Sequence, residues 1–305
     1  EPSAVATHSY LFLDQIQRQN TNSQYVGGSS GNYTVNTNIS LGTLYGGTFA
    51  NDLLSVPTLS ITMASDDFFG PSGIWSNPTG QGVGWERPCS AEYLRPDGGK
   101  GFQINCGIRI QGGVSRTGIP KHSLRLLFKT IYGAGKLNYN LFPDSPVEEF
   151  DSLTLHAGFN DHWLWVGSPA QLLRDQWCRD TQNALSGYGA HGRYAHLYVN
   201  GLYWGLYNIG EQTDASYAAH YLGGDKDEYD AVSSDQIVDG NGDAWNAMIG
   251  IVNAGVTNDL AYTNLAQYLN IPNFIDYMLL NFYAANTDWP YHNWKIGRAS
   301  CSERA

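Results

Sequence analysis

The segment "GRYAHLYVNGLYWGLYNIGEQ" constrains this chain more than any other. Two alternating runs, residues 194–199 and 202–209, flank Asn200-Gly201. That dipeptide tolerates the positive φ angles of a two-residue hairpin turn, so antiparallel sheet is required here. A second hairpin reads from "RPCSAEYLRPDGGKGFQINCGIRIQGG", with strands over 89–94 and 102–110 around a Pro-Asp-Gly-Gly turn. Next comes "KHSLRLLF", residues 121–128. Alternation puts Lys121, Ser123, Arg125 and Leu127 on one strand face and His122, Leu124, Leu126 and Phe128 on the other. The preceding turn holds Gly112, Gly113 and Ser115. A glycine-rich turn before inward cations can cradle phosphate. It can equally be an ordinary turn beside an exposed basic strand, and the segment taken alone favours that second reading.

The rest of the chain turns helical. "SPAQLLRDQWCRDTQNAL" predicts an amphipathic helix capped by Ser168 with Pro169 in its first turn. "DASYAAHYLGG" predicts a short helix ended by glycines. "VDGNGDAWNAM" spaces Asp239, Asn241 and Asp243 like a calcium loop, but Ala244 and Gly250 stand where Gly and Glu are needed. It therefore reads as a turn capping a helix. The last and longest helix opens at Pro272, and its apolar residues run almost all round, the mark of a core helix. A β-rich first part with one helix inside it, a hairpin and a helical second part make an α+β, two-lobe arrangement.

Composition removes several classes. The net charge of −11 argues against a nucleic-acid groove and permits a basic partner. No run of about 18 apolar residues predicts a membrane span. The four cysteines form no CxxC pair, so a zinc site is not expected. Cys89 and Cys106 fall on neighbouring predicted strands; they can pair, but separate buried thiols are the favoured reading.

After the core helix comes "NTDWPYHNW". Asp288 and Asn293 are five residues apart on a loop. Three chemistries suit them: a catalytic base with a metal ligand, plain turn formation, or acid/base hydrolysis, which needs a second carboxylate. Protein kinases use the first, with an Asp that accepts the substrate hydroxyl proton and an Asn five residues later that binds Mg²⁺. The His-Arg-Asp string of ordinary protein kinases is absent.

Three strings together resemble the CotH kinases, atypical kinases associated with bacterial spore coats. They are "IRIQGGVSRTGIPKHSLRLLF", "LYVNGLYWGLYNIGEQ" and "NTDWPYHNW". The resemblance covers roughly residues 57–296 and implies an atypical protein-kinase-like two-lobe fold. It implies ATP with Mg²⁺ or Mn²⁺, and phosphorylation of Ser or Thr on a protein that is basic or Ser-rich. By resemblance, Asp288 is the catalytic-loop Asp and Asn293 a metal ligand. Lys121 contacts ATP phosphates, with Arg125 as helper. Arg109, Gly112, Ser115 and Arg116 form the phosphate-side turn, and Glu211 lies at the hinge beside adenine, where backbone often makes the contacts. Gly112-Gly113 stands where the family often has Gly-Asn or Gly-Ser. The family's second metal-binding Asp, on a later strand, has no counterpart after Trp294, so this chain is expected to bind nucleotide and metal poorly.

The ends read as foreign. Residues 1–20 look like the closing strand of an Ig-like β-sandwich module, 21–55 like a linker, 56–296 like a partial CotH kinase-like domain, and 297–305, "GRASCSERA", like a non-native tail. No signal peptide is visible, and the chain reads as a piece of a longer frame. Analogy with multidomain surface proteins of environmental bacteria suggests an extracytoplasmic location. A non-catalytic adhesion or assembly module is the alternative function. A carbohydrate-active enzyme, suggested by nine Trp and twenty Tyr, ranks last.

Overall fold

Seven strands close into a barrel in this computed structural model. They are β1 (Thr58–Thr62), β2 (Arg87–Leu94), β3 (Phe102–Gln111), β4 (Ser123–Leu127), β5 (Ser152–His156), β6 (Gly192–Val199) and β7 (Leu202–Glu211). The structure describes residues 6–20, 33–163, 170–291 and 293–299. The order around the barrel is β1-β2-β3-β4-β5-β7-β6. Both predicted hairpins form, each slightly longer than its alternating run. Closure was not expected. It comes from a parallel pairing of β1 with β6, with Thr58 opposite His196 and Ile61 opposite Val199. Nothing in the local pattern of either strand announces so distant a partner. Closure leaves no free sheet edge, and the inward positions fill with Ile61, Ala91, Ile108, Leu124, Leu126 and Leu155, none of them exposed.

The residues read as the end of another module pack on this barrel. Residues 6–12 form no strand; Leu13–Ile16 is a helical turn. Leu11, Leu13 and Ile16 cluster with Leu53 and Tyr198. The Ser9 hydroxyl donates to Ser60 Oγ at 2.7 Å, and the Ser9 amide to Glu92. Gln19 pairs with Tyr203 as a strand residue does: its Nε2 donates to the Tyr203 carbonyl and its Oε1 accepts from the Tyr203 amide.

The chain divides into two compact units, and the barrel belongs to the first. The second contains residues 142–148, 173–191 and 211–305. Its helices are α1 (Arg174–Ser186), α2 (Ala215–Leu222), α3 (Asp243–Ala254), α4 (Asp259–Ala266) and α5 (Ile271–Tyr283). Its sheet is β8 (Tyr229–Ser233), β9 (Gln236–Asp239) and β10 (Lys295–Ala299), in the order β9-β8-β10. Strand texture thus continues through Gly297 to Ala299, beyond the point where the sequence seemed to lose it.

Two helix expectations need correction. Helix α1 begins at Arg174, later than the predicted cap; Ser168 and Pro169 lie outside the described residues. Asp161 accounts for the delay: its carboxylate accepts from the Gln171 amide at 3.0 Å and its carbonyl from the Leu172 amide, while Leu172 turns to φ +61°. That conformation cannot continue a helix. Helix α5 is well capped, with Asn270 accepting from the Asn273 amide, but it is not a core helix. Leu280 alone is buried, while Leu279, Phe282 and Tyr283 are 58%, 64% and 83% exposed. An all-round apolar pattern reports what a helix can bury, not what it does bury.

Candidate functional site

The barrel's contribution starts at the turn leaving β3. Gly112 has φ +118°, and a Cβ there would lie 2.1 Å from Ser115 Oγ. Only glycine lets the chain fold back into the helical turn Ser115–Gly118. Gly112→Ala should therefore lower stability by about 2–3 kcal/mol, read as the midpoint shift in urea unfolding. Arg116 locks the turn from inside. Its guanidinium is buried and donates to the carbonyls of Gly112, Pro78, Gly80 and Ile110, the last three at 2.7, 2.9 and 2.8 Å. Those bonds shape the turn and leave the guanidinium committed to backbone.

Lys121 lies just before β4, not within it, so it does not share a strand face with Arg125 as the alternation suggested. Its Nζ donates to the Leu206 carbonyl at 2.6 Å and sits 4.5 Å from the centre of the Tyr207 ring. Gly205 beside it adopts φ +110°, a backbone angle that favours glycine, and a Cβ there would make an ordinary contact with Lys121, 3.6 Å from Cε. The register of β6 with β7 shifts beside this point, between Leu197 and Tyr198. No carboxylate pairs with Lys121 among the described residues. Burial pushes its pKa down to about 7. His162 is near enough that the Lys121 charge, after burial, helps hold the imidazole down at about 4. Arg125 turns elsewhere, donating to Ser152 Oγ at 2.8 Å.

Arg109 stands directly opposite Arg125 across the β3–β4 ladder. Its counter-charge is Glu86, whose side chain has no exposure. Glu86 accepts from Arg109 Nη1 at 3.4 Å, from Lys129 Nζ at 2.8 and 2.9 Å and from Tyr132 Oη at 3.1 Å. The sequence reading did not find Glu86; "WERP" carries no pattern that marks a buried carboxylate.

The second unit holds the remaining candidates. Glu211 faces inward, buried. It accepts from the His191 amide at 2.7 Å and from Tyr221 Oη at 2.9 Å, with His191 Nδ1 at 3.1 Å. Ser145 Oγ bonds Tyr221 Oη at 2.9 Å. Burial and then the Glu211 charge raise the Tyr221 pKa. The Glu211 carboxylate is thus occupied by its own fold, which leaves backbone as the group that can meet a ligand.

Asp288 and Asn293 are brought together. Asn293, at φ +64°, donates its Nδ2 to Asp288 Oδ2 at 2.5 Å and to the Asp288 carbonyl at 3.2 Å. The loop is tied to α5: the Asp288 amide donates to Asn286 Oδ1 at 3.0 Å, and Asn286 Nδ2 to Asn281 Oδ1 at 2.8 Å. Trp289 packs edge-on against Tyr277 and Phe282. His292 lies outside the described residues. Carboxylate and carboxamide oxygens are hard donors suited to Mg²⁺. Among the described residues no group of three or more His, Cys, Asp or Glu gathers as a metal cage, so an ion here needs water and phosphate to complete its shell.

A family model described as "CotH kinase protein" matches residues 108–304 of the 305. The chain belongs to the CotH kinase family. No match to a curated protein was found. The CotH match takes in the turn at Gly112, Lys121, the hairpin through Glu211 and the Asp288–Asn293 loop. It begins one residue before Arg109, so Glu86, the counter-charge of Arg109, lies outside the matched part.

Proposed function

We propose that this chain is the phosphoryl-transfer domain of an atypical protein kinase that uses ATP and Mg²⁺ or Mn²⁺ to modify Ser or Thr on a protein. One observation carries the reading: Lys121 is a mostly buried cation without a carboxylate partner among the described residues, beside a glycine turn. Folding gains nothing from such a group, whereas an anionic ligand does. Arg109 and Arg125 lie opposite each other on the strands that enter and leave that turn, which in a chain of net charge −11 supports the same reading, and the acidic remainder suits a basic acceptor.

In this reading the Gly112–Ser115 turn and Lys121 hold phosphate oxygens, with Arg125 and Arg109 adding positive field. The backbone at Glu211 meets adenine in a kinase-like two-lobe fold. Asp288 accepts the proton of the acceptor hydroxyl, and Asn293 holds that carboxylate and lends an oxygen to the metal. The ion, when bound, neutralises charge on the transferred phosphoryl group. Asp288→Ala should lower Mg²⁺-dependent transfer from labelled ATP by roughly 10²–10⁴-fold. Its unfolding midpoint should barely move, because the Asp288 loop is exposed. Equal transfer by wild type and variant would overturn the assignment. Partner binding indifferent to Asp288→Asn, with no transfer at all, would favour an adhesion module.

A further inference from the structure

We propose that Cys89 and Cys106 form a disulfide across the β2–β3 ladder when the protein folds in an oxidising compartment. The two residues are directly opposed in register. Their Sγ atoms are 3.5 Å apart, and both thiols are free. Opposed residues on antiparallel strands have Cα separations of about 4.5–5.5 Å, inside the range a disulfide spans. Closing the sulfurs to bonding distance needs about 1.5 Å of movement, within reach of χ1 adjustment.

Other uses of the pair are weaker. Both side chains are buried, 7% and 0% exposed, among the apolar residues of the barrel wall. Contact with Cys106 and burial push the Cys89 thiol up, the reverse of what a catalytic or metal-binding thiolate needs. The described residues offer no third ligand for a metal. Burial also sets the timing: the bond forms during folding, before the barrel shuts, and is then shielded from reductant. The step is a pair of exchanges. One thiolate attacks a low-molecular-weight disulfide and releases one thiol; the second thiolate then displaces the other. Two protein thiols are oxidised, one small disulfide is reduced to two thiols, and each protein sulfur gives up one proton.

The bond closes a loop between positions 17 apart, the hairpin that also carries Arg109. It therefore restrains the unfolded chain at the strands that build the phosphate-side turn. The inference does not depend on the kinase reading.

The test uses the full chain with Cys178→Ser and Cys301→Ser, unfolded and refolded either with glutathione disulfide and glutathione or with a phosphine reductant. Expected for the oxidised sample is a mass about 2 Da lower than the reduced one, no alkylatable thiol after denaturation, and a peptide linking Cys89 to Cys106. Its melting temperature should rise by roughly 5 °C or more. The added variant Cys106→Ala should abolish the redox difference; if that variant fails to fold, peptide mapping of the parent still decides. Two alkylatable thiols in the oxidised, denatured sample overturn the proposal.

Discussion

Glu86→Ala should cost about 3 kcal/mol of stability. The Glu86 carboxylate is wholly buried and takes four hydrogen bonds from Arg109, Lys129 and Tyr132. Removing it does more than delete an ion pair. Arg109 is opposed by Arg125 across the ladder, so two guanidinium groups lose the anion that lets them lie side by side. The figure sits at the lower end of the range for breaking a buried pair because Lys129 is 37% exposed and can turn to water. Glu86→Gln keeps the shape and should recover part of the loss. Urea unfolding of the three proteins, with the slope unchanged, is the measurement; a Glu86→Ala cost under about 0.5 kcal/mol would show that the cluster is not the counter-charge described.

The second large effect runs the other way. Lys121→Met should stabilise the protein while removing nucleotide affinity. Lys121 has its pKa lowered from 10.5 to about 7 by burial. Between those values the unfolded chain holds a proton that the folded chain does not, so stability rises with pH across that window. Below pH 7 both states are charged and the full penalty of burying the ammonium is present. Lys121→Met removes that penalty, so its gain should be greatest near pH 6, on the order of a few kcal/mol, and should shrink towards pH 10. In the wild type the same titration should weaken nucleotide binding as pH rises through 7, because the neutral amine has no charge to offer phosphate. Thermal melts at pH 6 and 9, with nucleotide titrations at both, read the two effects. A destabilised Lys121→Met at pH 6 would mean that the ammonium is already paired.

Much of this was legible in the sequence, and the boundary is physical. Turns announce themselves locally: Asn200-Gly201 and Gly112 each need a backbone angle that few residues accept, and both appear where the sequence places them. That Asp288 and Asn293 share one short loop was legible as well, whereas the hydrogen bonds between them were not part of that reading. Pairings between distant segments were not. The β1–β6 closure, the Glu86 cluster and the approach of Lys121 to Leu206 join residues far apart in sequence, and alternation alone placed Lys121 on the Arg125 face. Nor could periodicity say that α5 would leave Leu279, Phe282 and Tyr283 exposed, because a helical pattern does not specify its neighbours.

The central claim, that this member of the CotH kinase family transfers phosphate through Asp288, is tested most directly by incubating the folded protein with labelled ATP, Mg²⁺ and a Ser-rich basic protein. Expected is Mg²⁺-dependent label on Ser or Thr that is lost when Asp288 is Ala. Label that persists in the folded Asp288→Ala protein, or none from the folded wild type, would contradict it.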